Sequence, residues 1–168
     1  ARALLAAAER LARVQELSGC WLVVSDRVDV ALASRARGAQ LTSRSLAPGD
    51  ARRLAPQLRL GASVHSVADA EAAARARADW VVAGHVFATA SHPGAPGRGG
   101  GFVRAVAAAV PVPVIAIGGV TPDRVAALRA EGAHGVAAIR GIWAAAHAGE
   151  AVGRYLSAHD AYDRTGAG

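Results

Sequence analysis

The chain reads as a parallel α/β protein of the TIM (β/α)8 barrel type, and three observations carry that reading. Apolar strand-like runs and amphipathic helical runs alternate strictly from residue 20 onward. That pattern lays helices over a parallel sheet. The strand bodies are apolar while the residues just after them are small and polar, as expected where strand C-termini gather on one face. No G-x-G-x-x-G follows a strand, which weakens the open, dinucleotide-binding alternative. About six β/α units can be traced, two short of the eight of a closed barrel. The first element is a helix with no strand before it. The expectation is therefore one domain over 1–168 that lacks the first β-α-β segment.

Composition sets bounds on this picture. The chain has 168 residues, 52% of them hydrophobic and only 4% aromatic. That is enough for one real core, filled largely by alanine. No apolar run approaches a membrane span. Cys20 is the sole cysteine, which excludes an internal disulfide or a thiolate metal site and fits a cytoplasmic protein. The net charge is +6, and all 19 basic residues are arginine. Lysine chemistry is excluded. The arginines are scattered along helices without interleaved aromatics, which argues against nucleic acid. A positive field suits a small anionic substrate.

Taken in order, residues 1–17 form a helix, with Leu4, Leu5, Ala8, Leu11, Ala12 and Val14 at helical spacing. Residues 20–24 give a strand and 28–36 a helix. Residues 39–42 give the next strand, and Pro48 opens a helix that Pro56 closes. Residues 60–64 form a strand, after which Ser66 caps a helix with Asp69 three residues on. The stretch 79–101, D-W-V-V-A-G-H-V-F-A-T-A-S-H-P-G-A-P-G-R-G-G-G, organises the rest. It is a buried strand over 79–86 that presents His85 and opens into a glycine-rich loop. Residues 88–100 are expected to form a lid that orders with ligand. A helix over 102–110 and a strand over 112–117 follow. Thr121 and Pro122 open a helix that ends at Gly132. Residues 135–139 are the last strand and 149–158 the closing helix, with a frayed tail after Asp160.

The strand ends are Ser25-Asp26, Thr42-Ser43, Ser63 with His65, Gly84-His85, Gly118-Gly119 and Arg140-Gly141. Barrels of this kind commonly hold a phosphate in the last two loops. The expected donors are the backbone N–H groups of Gly118, Gly119, Gly141 and Ile142, with Arg140 adding charge. Ser63 and Thr89 are further candidate substrate contacts. His65 and His85 are the candidate acid–base groups, because imidazole titrates near neutral pH. A metal would need Asp26, His65 and His85 to converge, and no short ligand motif supports one.

Several segments together carry a family resemblance. G-A-S-V-H-S at 61–66, G-H-V-F-A-T at 84–89, G-R-G at 97–99, P-V-I-A-I-G-G-V-T-P-D-R at 113–124 and S-D-R-V-D-V-A-L-A at 25–33 resemble the thiamine phosphate synthase/TenI superfamily. The resemblance implies that family's barrel. Gly84-His85 resembles the TenI-like thiazole tautomerases, whose catalytic residue is that histidine; the synthases carry Gly-Pro there. The synthases also have a G-Q-x-D segment whose aspartate helps hold magnesium, and Ser45 stands at that position. The synthase-type Thr-Lys of the glycine loop is replaced by Ser91-His92, and the tautomerases often keep a lysine there too. The implied reaction is an isomerisation without a cofactor. The non-aromatic tautomer of a thiazole carboxylate phosphate is aromatised by proton transfer at His85 and His65. A thiamine phosphate synthase, or a non-catalytic barrel that binds thiazole or thiamine phosphate, is the alternative. The expected partner is a small thiazole phosphate, with no nucleic acid and no membrane, and a homodimer is compatible.

Overall fold

A computed structural model of the protein describes residues 2–90 and 93–164. Six strands form one sheet whose order follows the sequence, β1-β2-β3-β4-β5-β6. They are β1 (Val23–Ser25), β2 (Gly38–Leu41), β3 (Arg59–Val64), β4 (Trp80–Ala83), β5 (Val114–Ile117) and β6 (Gly135–Ala137). Pairing is parallel, with Val23 opposite Gly38, Gln40 opposite Gly61 and Ile115 opposite Gly135. The helices are α1 (Arg2–Ser18), α2 (Val28–Ala33), α3 (Pro48–Leu54), α4 (Val67–Arg75), α5 (Gly100–Ala109), α6 (Val125–Ala130), α7 (Arg140–Trp143) and α8 (Ala148–Arg164). No helix among the described residues is long and apolar enough to cross a membrane. Contacts divide the chain into two units, Ala1–Ser63 with Ala72–Val81 and Val64–Glu71 with Val82–Gly168.

In the first unit the core is built from small side chains. Ala31, Ala39, Ala51, Ala55 and Leu60 are fully buried, with Val24, Val28 and Leu41 beside them. Alanine lets helix backbones approach the strands closely, and dense packing rewards that fit. Helix α1 buries Ala8, Ala12 and Gln15, while Leu4, Leu11 and Val14, expected on its inner face, are exposed. The stripe turns because Gln15 must face inward. Its Oε1 accepts the Leu22 N–H at 2.9 Å and the Arg37 N–H at 3.1 Å, and its Nε2 donates to the Arg35 carbonyl at 3.2 Å. That side chain satisfies the backbone where a ladder would start, so β1 begins at Val23 and not at residue 20.

Helix α2 also stops earlier than its periodicity suggests. Arg35 takes a left-handed φ of 59°, and the Ala36 N–H returns to the Ala31 carbonyl at 3.0 Å. This is the wrapped C-terminus that glycine usually provides. Arg77 (φ 66°) and Gly132 (φ 89°) end α4 and α6 in the same way, with Ala78 N–H to Ala73 O and Ala133 N–H to Leu128 O, each at 3.0 Å.

The second unit packs Val103 and Val106 of α5, Val125 and Leu128 of α6 and Ala151 and Tyr155 of α8 among its buried residues. The closing helix runs on to Arg164 instead of fraying after residue 160, because Arg129 reaches its last turns. The Arg129 guanidinium pairs with Asp163 at 2.7 Å and lies 5.2 Å from the Tyr162 ring centre. Strand β4 ends at Ala83, short of the expected residue 86. Val86 and Phe87 still donate their N–H groups to Ile117 and Gly118 carbonyls at 2.8 and 2.9 Å.

Candidate functional site

Each unit brings its own strand ends together. In the first, β1 turns through Asp26, at φ 62°. The Asp26 N–H donates to the Gln40 carbonyl at 2.9 Å. Its carboxylate Oδ1 accepts the Thr42 hydroxyl at 2.5 Å, the Thr42 N–H at 3.2 Å and the Ser45 hydroxyl. The exposed Arg44 guanidinium lies 3.8 Å from Oδ2. The Ser45 hydroxyl, then the Thr42 hydroxyl, hold the Asp26 carboxyl below its ordinary value against the opposing effect of burial. Hydrogen bonds to the charged form stabilise it.

This cluster bears on the magnesium implied by the synthase resemblance. A magnesium ion takes hard oxygen ligands, usually one or two carboxylates with phosphate oxygens and waters. With Ser45 in the aspartate's position, only Asp26 supplies a carboxylate, and its Oδ1 already takes three hydrogen bonds. Among the described residues no group of three His, Cys, Asp or Glu converges. The residues do not fit a magnesium held by a carboxylate pair.

Beside that cluster, Gln40 of β2 and Ser63 of β3 share a face. The Gln40 Nε2 donates to Ser63 Oγ at 3.0 Å, and the Trp80 indole N–H donates to Gln40 Oε1 at 2.9 Å. Gly61 makes room for the indole: a Cβ there would lie 2.2 Å from Trp80 Nε1. Ser63 is thus a strand-end hydroxyl, as expected from sequence. Its partner Gln40, and the Trp80 that bonds to Gln40, were not expected from sequence. Alternation along β3 was the available signal, because it puts residues 61 and 63 on one face.

In the second unit His65 is exposed. Its Nδ1–H donates to the Gly84 carbonyl at 2.9 Å, and its backbone N–H donates to the Asp69 carboxylate at 3.1 Å. The Ser66 hydroxyl accepts the Asp69 N–H at 3.0 Å. That is a capping box whose return bond reaches residue 65 and not the cap itself. His85 is half-buried. Its Nε2–H donates to the Pro96 carbonyl at 3.2 Å; a carbonyl only accepts, so that nitrogen carries the proton.

The glycine loop is pinned on its return side. Arg98 N–H donates to His85 O at 3.2 Å and Gly99 N–H to Val86 O at 2.8 Å. A Cβ on Gly97 would lie 2.5 Å from the Val86 carbonyl oxygen. The outgoing side carries Thr89, whose hydroxyl accepts from Arg140 at 3.3 Å. Thr89, Ala90, Pro96 and Arg140 line an open depression of about 540 Å³. Ser91 and His92 lie outside the described residues.

Gly118 (φ 102°) and Gly119 (φ 63°) turn after β5. Added Cβ atoms would sit 2.5 Å from His85 Cβ and 2.6 Å from the Ala88 oxygen. The pair therefore lets the residues after β4 pass at backbone distance. The Gly119 carbonyl accepts from Arg124 at 2.8 Å, and that guanidinium lies 4.3 Å from the Phe87 ring centre. Gly141 opens α7 against Tyr155, whose hydroxyl would be 2.2 Å from a Cβ there. The Tyr155 hydroxyl donates to the Val120 carbonyl at 2.9 Å. The Ile142 N–H, expected to face a phosphate, donates to Ile139 O at 3.1 Å within that short helix. The geometry thus joins Thr89 to Arg140, His85 to the loop and His65 to Gly84.

The family model described as thiamine monophosphate synthase (TMP-TENI) matches residues 1–142. The chain belongs to this family. It is 43% identical over 143 residues to a thiamine-phosphate synthase of Methanoculleus marisnigri, covering 84% of this chain and 68% of that protein. It is 45% identical over 127 residues to one of Methanoregula boonei, covering 74% and 59%. The structure superposes on a thiamine phosphate pyrophosphorylase from Pyrococcus furiosus with a TM-score of 0.90 at 31% identity, covering 96% of this chain and 78% of that one. The chain thus spans roughly two thirds of the length of these sequence relatives. The fold is that of the thiamine phosphate synthase type, with about six β/α units, as the alternation of strands and helices and the family resemblance led us to expect.

These relatives overturn the isomerase reading. A TMP-TENI chain this close to named synthases is not assigned to the tautomerases by one strand-end histidine. In the structure one ring nitrogen of each histidine, Nε2 of His85 and Nδ1 of His65, bonds to a backbone carbonyl.

Proposed function

We propose that the chain carries thiamine-phosphate synthase activity, coupling a thiazole phosphate to a pyrimidine borne as its pyrophosphate. In that transfer the thiazole nitrogen forms a bond to the pyrimidine's carbon as the carbon–oxygen bond to pyrophosphate breaks. The electron pair leaves with pyrophosphate, and no redox partner is involved. The reading rests on 43% and 45% identity to proteins named thiamine-phosphate synthase.

The chemistry asks for little covalent help. It needs the two reactants held in line and the charge growing on the leaving group met by fixed donors. Arg140 and Thr89, 3.3 Å apart in one depression, are the proposed contacts for phosphate oxygens, and the N–H groups of Gly118, Gly119 and Gly141 are further proposed donors. The net charge of +6 draws anionic substrates in. No step is routed through a metal, because the Asp26 cluster does not fit one. His85 and His65 serve as positioning groups in this scheme. A biosynthetic transferase of this kind would work in the cytoplasm, which the single exposed thiol of Cys20 suits.

The test is release of pyrophosphate from the two substrates mixed with the protein. Release that requires both substrates supports the reading. Binding of thiazole phosphate without release would favour a ligand-binding barrel, the alternative that the loss of a carboxylate at Ser45 favours.

A further inference from the structure

The turn after β5 is held by its carbonyls. The Val86 N–H donates to Ile117 O at 2.8 Å and the Phe87 N–H to Gly118 O at 2.9 Å. In a trans peptide the C=O and the N–H that follows it point in opposite directions. The N–H groups of Gly118 and Gly119 are therefore both turned away from residues 86 and 87. Two successive carbonyls drawn to one side are not strand geometry; the left-handed φ of Gly118, 102°, allows it. Successive N–H groups that share a side make a concavity suited to an anion. Among the described residues no acceptor meets either N–H, although both glycines are half-buried.

The third carbonyl of the turn has a different partner. Gly119 O accepts from Arg124 Nη1 at 2.8 Å, and the same guanidinium lies 4.3 Å from the Phe87 ring centre. Arg124 ends a single 3-10 turn, Pro122–Arg124, just ahead of α6. Glycine resists backbone rotation least of all residues, so the peptide after Gly119 depends on this side chain for its setting. A guanidinium is flat, and it can stack on an aromatic face while its edge donates. The Phe87 ring fixes its plane and the Gly119 carbonyl fixes its direction. Phe87 thus acts on the turn twice, through its backbone N–H at Gly118 and through its ring at Arg124.

We propose that Arg124 is a positioning residue that holds the Gly118–Gly119 turn in the shape that receives a phosphate, with Phe87 as the face that seats its guanidinium. Donors fixed before the ligand arrives cost nothing to order when it binds. The proposal rests on the reading that this turn takes the phosphate of the thiazole substrate. It differs from a direct role for the Arg124 charge, which would need neither the carbonyl bond nor the ring.

The test is a double-variant cycle on Arg124→Met and Phe87→Leu. Thiazole phosphate is titrated calorimetrically against the wild type, both single variants and the double variant. The unphosphorylated thiazole alcohol is measured on the same proteins by displacement. Arg124→Met should weaken thiazole phosphate about tenfold, the effect of one misaligned bond to a charged group, and leave the alcohol unchanged. Phe87→Leu keeps the charge and should still weaken thiazole phosphate. The double variant should bind no worse than Arg124→Met. Phe87→Leu with wild-type affinity, or losses that multiply in the double variant, would mean that the charge acts on its own and would overturn the proposal. Equal losses for phosphate and alcohol would mean general distortion and overturn it too, as would Arg124→Met with wild-type affinity. Should Arg124→Met not fold, Phe87→Leu alone carries the test, and unchanged affinity for thiazole phosphate then overturns the proposal. A wild type that does not bind thiazole phosphate overturns the phosphate reading and the positioning role with it. A wild type that binds it while the variants bind equally well overturns the positioning role alone.

Discussion

Ser45 is one residue at which this chain departs from the synthase pattern. Its hydroxyl bonds to the Asp26 carboxylate, where a second carboxylate would instead repel it and call for a cation. Like charges at contact raise each other's pKa and destabilise the fold until neutralised. Ser45→Asp is therefore expected to lower the melting temperature in metal-free buffer and to recover it with millimolar magnesium. The wild type should melt at the same temperature with and without the ion. A wild type stabilised by magnesium as much as the variant would show that the cluster does accept the metal. His85 gives a second expectation at this scale. Its bond to the Pro96 carbonyl asks only for a donor, so His85→Gln should keep kcat within a few-fold while His85→Ala raises KM. General acid–base catalysis typically contributes about 10²–10⁴-fold. A kcat loss of that order in the glutamine variant would make the ring a proton carrier after all.

Among the elements, the junction of α3, β3 and β4 depends on one carboxylate. Asp79 accepts from Arg52 at 2.6 Å, from Arg59 at 2.9 Å and from the Leu60 N–H at 2.8 Å. Burial alone would raise its pKa; the Leu60 N–H, Arg59 and Arg52 reverse that and hold it below its ordinary value. A depressed carboxyl stabilises the fold fully above the ordinary carboxylate range, near about 4. That contribution is lost as pH falls through the lower folded value. Asp79→Asn should therefore cost about 1–3 kcal/mol at neutral pH. In equilibrium unfolding the difference from wild type should shrink below pH about 4. A difference that stays constant into acid would mean that packing, not charge, carries the clamp.

The same elements mark what sequence could tell. Alternation gave the strands and their order, because a buried parallel strand reads as an apolar run. Ser66 with Asp69 and Gly132 gave true helix ends, because their signals are local. Arg35 and Arg77 gave none, since arginine in a left-handed cap has no signature. Gln15, Gln40 and Arg129 were equally silent. Each reaches partners 20 or more residues away, and periodicity over one turn says nothing about such bonds. The strand ends named the residues of the candidate site. They could not say that the His85 ring would bond to the Pro96 carbonyl; the isomerase expectation itself was overturned by the relatives named as synthases.

At the scale of the whole chain, fold and charge agree with the family. The fold matches a thiamine phosphate pyrophosphorylase at a TM-score of 0.90, and a net charge of +6 carried by arginine alone suits two phosphorylated substrates. Electrostatic steering is screened by salt, so kcat/KM for coupling should fall with ionic strength while kcat changes little. The most direct test of the central claim is a single-turnover reaction with protein in excess over thiazole phosphate and the pyrimidine pyrophosphate, read by mass spectrometry. Synthase activity predicts thiamine phosphate and pyrophosphate in equal amounts, each absent when either substrate is left out. Both substrates recovered unchanged from a protein that binds them would contradict it.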